Sequence, residues 1–103
     1  MKIYNKLVRD RIPDIIFKDG HSVGHRTLPE TEFKEYLESK LDEEVAEFHK
    51  SKSLEELADI VEVLYALAEV HGHSVFDLGR MRRRKLFEKG GFVNRICLEY
   101  VGD

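Results

Sequence analysis

Apolar residues recur along residues 32–50 at steps of three and four, which is the spacing of one face of an α-helix. The members of this stripe are Phe33, Leu37, Leu41, Val45 and Phe48. We therefore predict a long helix from Glu32 to Lys50, with Thr31 as its N-cap. Glu44 falls inside the stripe and Glu47 lies at its edge. A carboxylate in the middle of an apolar stripe is out of place in a helix that serves only for packing.

The next segment, Leu54 to His71, is apolar around most of a helical circumference, so we predict a helix that is buried on several sides. Ser53 is its expected N-cap and Gly72 ends it. The remaining side carries a narrow acidic stripe of Glu56, Asp59 and Glu62. Ser53 and Glu56 also have the spacing of a capping box, in which Glu56 would serve its own helix terminus. The short break before Leu54 predicts that the two helices run antiparallel.

Two further helices are expected on either side of this pair. Ile12 to Lys18 predicts a short helix, because Pro13 is well tolerated near a helix start. Ser74, with Asp77 three residues further on, is a typical helix start. It predicts a third long helix that ends near Glu88.

Short runs of β-forming residues lie near both ends of the chain. Ser22–Leu28 and Arg95–Val101 predict strands, which can pair with each other or with an N-terminal arm formed by residues 1–11. The expected fold class is therefore mainly α, with one domain over residues 1–103. It consists of an antiparallel helix pair plus a third long helix, with a small β element from the chain ends.

Charge is distributed unevenly along a chain whose formal net charge is only -3. Residues 42–62 contain eight acidic residues and two lysines, whereas residues 80–89 contain six basic residues and one glutamate. Separate acidic and basic segments suit a metal ion together with a phosphate-bearing ligand. The net charge alone argues neither for nor against a polyanionic partner.

The composition of the chain also bears on its cellular location and on its oligomeric state. Cys97 is the only cysteine, which excludes an intrachain disulfide and a Cys-based zinc site. No apolar run approaches the ~20 residues that cross a membrane, and Met1–Lys6 lacks the apolar core of a signal peptide. We expect a cytoplasmic protein with no membrane partner. The central helix is apolar on too many sides for a short single chain, which predicts a homodimer or a dimer of dimers.

Two E-x-x-E/D pairs place four carboxylates on the two central helices. Glu44 and Glu47 form the first pair, Glu56 and Asp59 the second, and the members of each pair lie on one side of their helix. Across an antiparallel helix pair these carboxylates would face and repel one another. Spacing alone leaves two interpretations open, a solvated acidic face or a site for Mg²⁺ with Mn²⁺ as a substitute.

The order E-x-x-E, short gap, E-x-x-D resembles the signature of the all-α nucleoside triphosphate pyrophosphohydrolases, a superfamily that includes MazG proteins, dimeric dUTPases and phosphoribosyl-ATP pyrophosphohydrolases. Both flanks, YNKLVRDRIP at residues 4–13 and KGGF with Arg95-Ile96 at residues 89–96, are similar to a compact MazG-like branch. That branch is described as phosphoribosyl-ATP pyrophosphohydrolase-like, or as house-cleaning enzymes for non-standard nucleotides. The resemblance covers nearly the whole chain. It departs at Lys89, where the branch usually has arginine, and lysine cannot form a bidentate fork on phosphate.

The resemblance implies Mg²⁺-dependent hydrolysis of a nucleoside triphosphate at the α–β phosphoanhydride, which yields the monophosphate and pyrophosphate. Glu44, Glu47, Glu56 and Asp59 correspond to the metal ligands of the family. Glu43 and Glu62 are further acids nearby, and each is a candidate for the general base or for an additional ligand. The candidates for binding the substrate phosphates are Lys6, Arg9, Arg83, Lys85, Lys89 and Gly91.

The basic candidates each have a purely structural alternative. Arg9 can form an ion pair with Asp10, residues 82–85 can be a solvated helix end, and Gly90-Gly91 can be a helix stop. The alternative function for the whole chain is a non-catalytic helical module that binds a nucleotide or a nucleic acid. The intact set of four acids argues against such a module, so no nucleic acid partner is expected.

Overall fold

The computed structural model describes all residues, 1–103, and contains four helices and no strand. The helices are α1 (Ile12–Lys18), α2 (Glu30–Ser51), α3 (Leu54–Val70) and α4 (Val75–Lys89). The expectation of a mainly α chain is therefore confirmed. None of the four helices combines the length and the apolar character that crossing a membrane would require.

α2 begins two residues earlier than its sequence predicts. Its N-cap is Pro29, which has extended backbone angles (φ -66°, ψ 159°) and accepts a 2.9 Å hydrogen bond from the Phe33 N–H. Thr31 lies inside the helix, so the prediction that it caps α2 is wrong. At the other end Lys52 adopts a left-handed conformation, with φ 54°. This conformation ends α2 and turns the chain into α3.

α3 and α4 begin after the two serines that the sequence predicts as N-caps. The Ser53 hydroxyl accepts a 3.2 Å hydrogen bond from the Glu56 N–H, but the Ser53 N–H donates to Ser51 and not to the Glu56 carboxylate. At α4 both halves of a capping box form between Ser74 and Asp77, at 3.0 and 2.9 Å. The Glu56 side chain is therefore not used to cap its own helix.

α2 and α3 form a helical hairpin that contains every buried side chain of the protein. These side chains are Leu37, Val63 and Glu44. Val45, which the sequence places in the apolar stripe of α2, is 36 % exposed. The stripe is centred on Leu37 and Glu44 instead, seven residues apart, so an acid occupies one of its most enclosed positions.

α4 contacts α3 only through its first turns, where Val75, Leu78 and Gly79 are half-buried, and it makes no close contact with α2. The molecule is consequently elongated, with dimensions of 62 × 32 × 23 Å and a radius of gyration of 18.1 Å. A compact domain of this length has a radius of gyration of about 13 Å. The single chain therefore does not close around a complete core.

The two predicted strands are absent within the chain. Residues 22–28 and residues 95–101 lie outside any regular element. An extended segment becomes a strand only when a neighbouring edge satisfies its backbone N–H and C=O groups. Every residue from Arg80 to Asp103 is exposed, so the second segment has no such neighbour in its own chain. The prediction of a small β element is thus wrong for the isolated chain.

Candidate metal centre

Three of the four predicted metal ligands lie together between α2 and α3. Glu44, Glu56 and Asp59 each offer a carboxylate oxygen, and these oxygens lie within 4.8 Å of one another. Glu44 comes from the buried stripe of α2, while Glu56 and Asp59 are one turn apart near the start of α3. We call these three residues the acidic triad. The short loop between the helices is what brings the two sequence motifs together.

Glu47, the fourth predicted ligand, lies at the edge of this arrangement. It is exposed, and its carboxylate does not belong to the group of oxygens that lie within 4.8 Å. Its charge is nevertheless close enough to contribute to raising the pKa of Glu56. The structure therefore brings three of the four carboxylates together and leaves Glu47 beside them on the solvent side.

The surroundings of Glu56 raise its pKa well above that of an ordinary glutamate. A hydrogen bond with Glu44, partial removal from water and the negative charges of Glu44, Asp59 and Glu47 together raise the pKa of Glu56 from 4.5 to about 7. The Oε2 atom of Glu56 is shielded from solvent and has no hydrogen-bond partner. A shielded carboxylate oxygen without a hydrogen-bond partner is costly, and a bound cation is one way to satisfy it.

Lys40 is a part of the site that the sequence analysis did not identify. Its ammonium group lies 3.2 Å from Glu44 Oε1 and 3.4 Å from Glu43 Oε2, and its side chain is only 16 % exposed. The sequence contains an indication of this contact, because Lys40 precedes these two acids by three and four residues on the same helix. Lys40 thus offsets part of the negative charge on the α2 side.

The N-terminal arm, residues 1–11, lies along the acidic surface of the hairpin. Lys6 donates a 3.1 Å hydrogen bond to Glu43 Oε1, and Arg9 donates a 2.7 Å hydrogen bond to Asp59 Oδ1. Arg9 therefore pairs with a residue 50 positions away rather than with its neighbour Asp10. Two of the predicted phosphate-binding residues are placed directly at the candidate metal centre.

The two candidates for the general base lie outside the acidic triad. Partial burial acts to raise the pKa of Glu43, but the hydrogen bond from Lys6 and the charge of Lys40 outweigh it, so that its pKa is lowered. A carboxylate with a lowered pKa is a weaker proton acceptor. Glu62 is exposed on α3, three residues after Asp59, and no side-chain ion pair engages it.

The remaining phosphate-binding candidates are not brought to the acidic triad within one chain. Arg83, Lys85 and Lys89 are exposed on α4, and Gly91 follows that helix. Since α4 makes no close contact with α2, it does not carry these side chains to Glu44. Gly90 has a positive φ of 80° and caps the end of α4, which agrees with the structural alternative of a glycine helix stop.

A cavity of about 170 Å³ lies between the N-terminal arm and α2, next to the ion pairs of Glu43. Its lining consists of Asn5, Lys6, Leu7, Tyr36, Ser39, Lys40 and Glu43. Pockets that enclose a whole drug-sized ligand have volumes of about 300 Å³ or more. This cavity is therefore of a size for part of a ligand, such as a planar ring, with the rest of the ligand outside it.

Comparisons with known proteins leave the family of the chain open. No family model matches the sequence, and no solved structure matches it. An uncharacterized protein of Mycolicibacterium smegmatis is similar to part of the chain, with 52 % identity over 42 residues. That match covers 41 % of this chain and 43 % of the length of the relative.

Proposed function

We propose that the protein is a Mg²⁺-dependent nucleoside triphosphate pyrophosphohydrolase that acts on a non-standard nucleotide. It would hydrolyse the α–β phosphoanhydride and release a nucleoside monophosphate and pyrophosphate. The observation that carries this proposal is the convergence of Glu44, Glu56 and Asp59 around the shielded, unpartnered Oε2 of Glu56. The resemblance of the acidic spacing and of both flanks to MazG-like enzymes supports the reaction class.

The donor atoms of the acidic triad suit a hard divalent cation. All three ligands are carboxylates, without a thiolate or an imidazole, and such oxygen ligands favour Mg²⁺ or Mn²⁺. A cation among them would satisfy the Oε2 atom of Glu56 and relieve the mutual repulsion that helps to raise the pKa of this side chain. Mg²⁺ usually shares its coordination shell with waters and substrate phosphates. Three protein carboxylates, with Glu47 at the edge, are therefore a sufficient set.

The residues around the triad have distinct tasks in this reaction. Glu44, Glu56 and Asp59 would hold the metal ion. When bound, it would supply charge neutralisation at the phosphates and orient the attacking water. Of the two candidate bases, Glu62 is favoured over Glu43, because the lysine contacts lower the proton affinity of Glu43.

Lys6 and Arg9 are the favoured ligands for the substrate phosphates. Their cationic groups already lie at the hairpin, at 3.1 Å from Glu43 and 2.7 Å from Asp59. Both pairs are partly exposed to water, so each arm residue can exchange its carboxylate for a phosphate at modest cost. Arg9 can do so with two parallel hydrogen bonds. The neighbouring cavity offers the ring of Tyr36 for stacking on a nucleobase.

The experiment that tests the proposal is pyrophosphate release from a panel of standard and modified nucleoside triphosphates and phosphoribosyl-ATP. The wild-type protein is assayed with Mg²⁺, with Mn²⁺ and with EDTA. Glu56→Gln is the test variant, and Glu55→Gln is its control, because Glu55 is the exposed neighbour on the same helix. We expect metal-dependent release that is lost in Glu56→Gln and retained in Glu55→Gln.

Release that persists in EDTA, or that is equally strong in both variants, would contradict the proposed role of the triad. A folded protein that hydrolyses no member of the panel would contradict the proposed reaction. If such a protein instead binds RNA or DNA in a salt-sensitive way, the alternative of a non-catalytic binding module is correct. The homodimer or dimer of dimers that the sequence predicts is a separate proposal, which does not depend on the reaction.

A further inference from the structure

The last part of the chain has no core of its own. From Arg80 to Asp103 every residue is exposed, and we call residues 80–103 the C-terminal segment. It is nevertheless rich in large apolar side chains. These are Met81, Leu86, Phe87, Phe92, Val93, Ile96, Leu98, Tyr100 and Val101. Exposed apolar side chains are normal when they are scattered singly, but a continuous series of them marks an interaction surface.

A second uncovered apolar surface runs along α3. Its members, which we call the outer stripe, are Leu54, Leu57, Val61, Leu64 and Tyr65, and they are 36 to 82 % exposed. They recur at steps of three and four, so they share one face of the helix. The half-buried residues of α3, such as Ile60 and Leu67, lie on the other side, towards α2. The outer stripe is therefore a helix face that its own chain covers only in part.

The total exposed area is larger than a complete monomer allows. The solvent-accessible surface is 9574 Å², whereas a folded monomer of 12.1 kDa exposes about 6,000 Å². The excess is about 3,500 Å² per chain. Obligate dimers bury in total about 2,000 to 5,000 Å². The uncovered surface of two copies is thus sufficient for such an interface.

We propose that the C-terminal segment of one copy packs on the outer stripe of α3 of a second copy, and that the second copy returns the same contact. The donor and the acceptor surface belong to the same chain, so a single two-fold exchange covers both. An unrelated partner would have to supply two different surfaces at once. This inference concerns assembly, and it stands whether or not the proposed hydrolysis is correct.

The distribution of charge along the chain supports this reciprocal contact between two copies. Residues 80–89, which begin the C-terminal segment, carry six basic residues and one glutamate. Residues 42–62, which include the first half of α3, carry eight acidic residues and two lysines. The opposite charges favour an orientation in which the C-terminal segment of one copy lies on the hairpin of the other. They disfavour the packing of two C-terminal segments, or of two hairpins, on each other.

The connection between α3 and α4 explains why the segment does not cover its own outer stripe. Gly72 has a φ of 88°, and the capping box of Ser74 and Asp77 fixes the first turn of α4. After this turn α4 touches α3 only as far as Gly79. The segment is therefore directed away from the hairpin of its own chain and remains available to another copy.

The test combines analytical ultracentrifugation with hydrogen–deuterium exchange on the full-length protein. We expect a dimer, or a closed assembly of dimers, in which backbone amides of residues 93–101 exchange slowly although no helix or strand contains them. Val61→Glu places a charge in the outer stripe and should weaken dimerisation at least about a hundredfold, with loss of the amide protection. Glu55→Gln, on α3 but outside the stripe, should change neither property.

A second variant is needed if Val61→Glu fails to fold, which the loss of its helical circular dichroism signal would show. Ile96→Asp lies outside every helix, so the hairpin should fold normally while the assembly dissociates. The proposal would be overturned by a helical protein that is monomeric at all concentrations, or by an assembly in which the amides of residues 93–101 exchange rapidly. It would also be overturned if Val61→Glu and Ile96→Asp both fold and assemble like the wild type.

Discussion

The α2–α3 hairpin and the C-terminal segment have similar kinds of sequence but differ in how far their apolar side chains are buried. Both combine many charged residues with recurrent large apolar ones. The hairpin contains all three buried side chains of the protein and the acidic triad, whereas every residue from 80 to 103 is exposed. The difference lies in the neighbours, because α2 and α3 follow each other closely and cover each other. An apolar pattern therefore predicts that a face will be covered, but not what covers it.

The comparison also explains where the chemistry lies. A site that holds a metal ion needs ligands on rigid elements that are packed against each other. The hairpin meets this requirement at Glu44, which is as enclosed as the core residue Val63. The exposed basic residues of α4 have no such support within one chain.

The largest expected effect concerns the core of the hairpin. Leu37 is 2 % exposed, so Leu37→Ala should leave a cavity and reduce the free energy of unfolding by about 2 to 5 kcal/mol. Ile15→Ala on α1, where the side chain is 50 % exposed, is the control and should cost less than about 1 kcal/mol. Urea denaturation at one fixed protein concentration measures both. Equal losses would show that stability is not concentrated in the hairpin.

The next effect concerns the acidic triad. Glu44→Gln removes a negative ligand from a buried position and should lower kcat/KM at least about a hundredfold, because metal-ion catalysis contributes several kcal/mol. The same variant should lose the increase in Tm that Mg²⁺ gives the wild type. Glu38→Gln, an exposed acid on the same helix, is the control and should behave like the wild type in both measurements. If Mg²⁺ stabilises Glu44→Gln as strongly as the wild type, Glu44 is not a ligand of the metal ion.

A smaller effect is expected for the N-terminal arm. Arg9→Gln should raise KM about tenfold and change kcat less, because the residue is proposed to bind substrate phosphates in the ground state as well as in the transition state. Arg26→Gln is a matched control, since Arg26 also forms an exposed ion pair, with Glu32 at 2.9 Å, outside the site. Steady-state kinetics of both variants distinguish the two arginines. If both leave KM unchanged, the arm is a structural contact only.

The smallest effect concerns pH and stability without metal. The pKa of Glu56 rises from 4.5 to about 7 on folding, so the folded protein holds this proton more tightly than the unfolded chain does. The resulting stabilisation is complete below pH 4.5 and is lost as the pH rises through about 7. In EDTA the Tm should therefore fall between about pH 5 and about pH 8.

Thermal denaturation across this pH range, with and without Mg²⁺, tests the shift. Glu56→Gln cannot titrate at this position, so its Tm should depend less on pH than that of the wild type. Added Mg²⁺ should oppose the fall above pH 7, because the metal ion takes the place of the proton. A wild-type Tm that rises over the same range in EDTA would contradict the raised pKa.

Local features of the fold were predictable from the sequence, whereas most features that depend on distant residues were not. Ser53 and Ser74 were identified as N-caps because capping involves only the next three residues. The strands at residues 22–28 and 95–101 were predicted wrongly because a strand needs a partner edge that no local pattern guarantees. The contact between Arg9 and Asp59 spans 50 residues, and nothing near either residue indicates it.

The amino-acid sequence by itself determined that the chain is helical, where the central helices lie and which acids stand one turn apart on them. Only the tertiary structure decided which three of the four predicted acids converge, that Glu47 stays at the solvent edge and that the pKa of Glu56 is raised. The physical reason is that spacing along a helix sets which side chains share a face. The rotation of each helix about its own axis depends on tertiary packing and determines which faces meet.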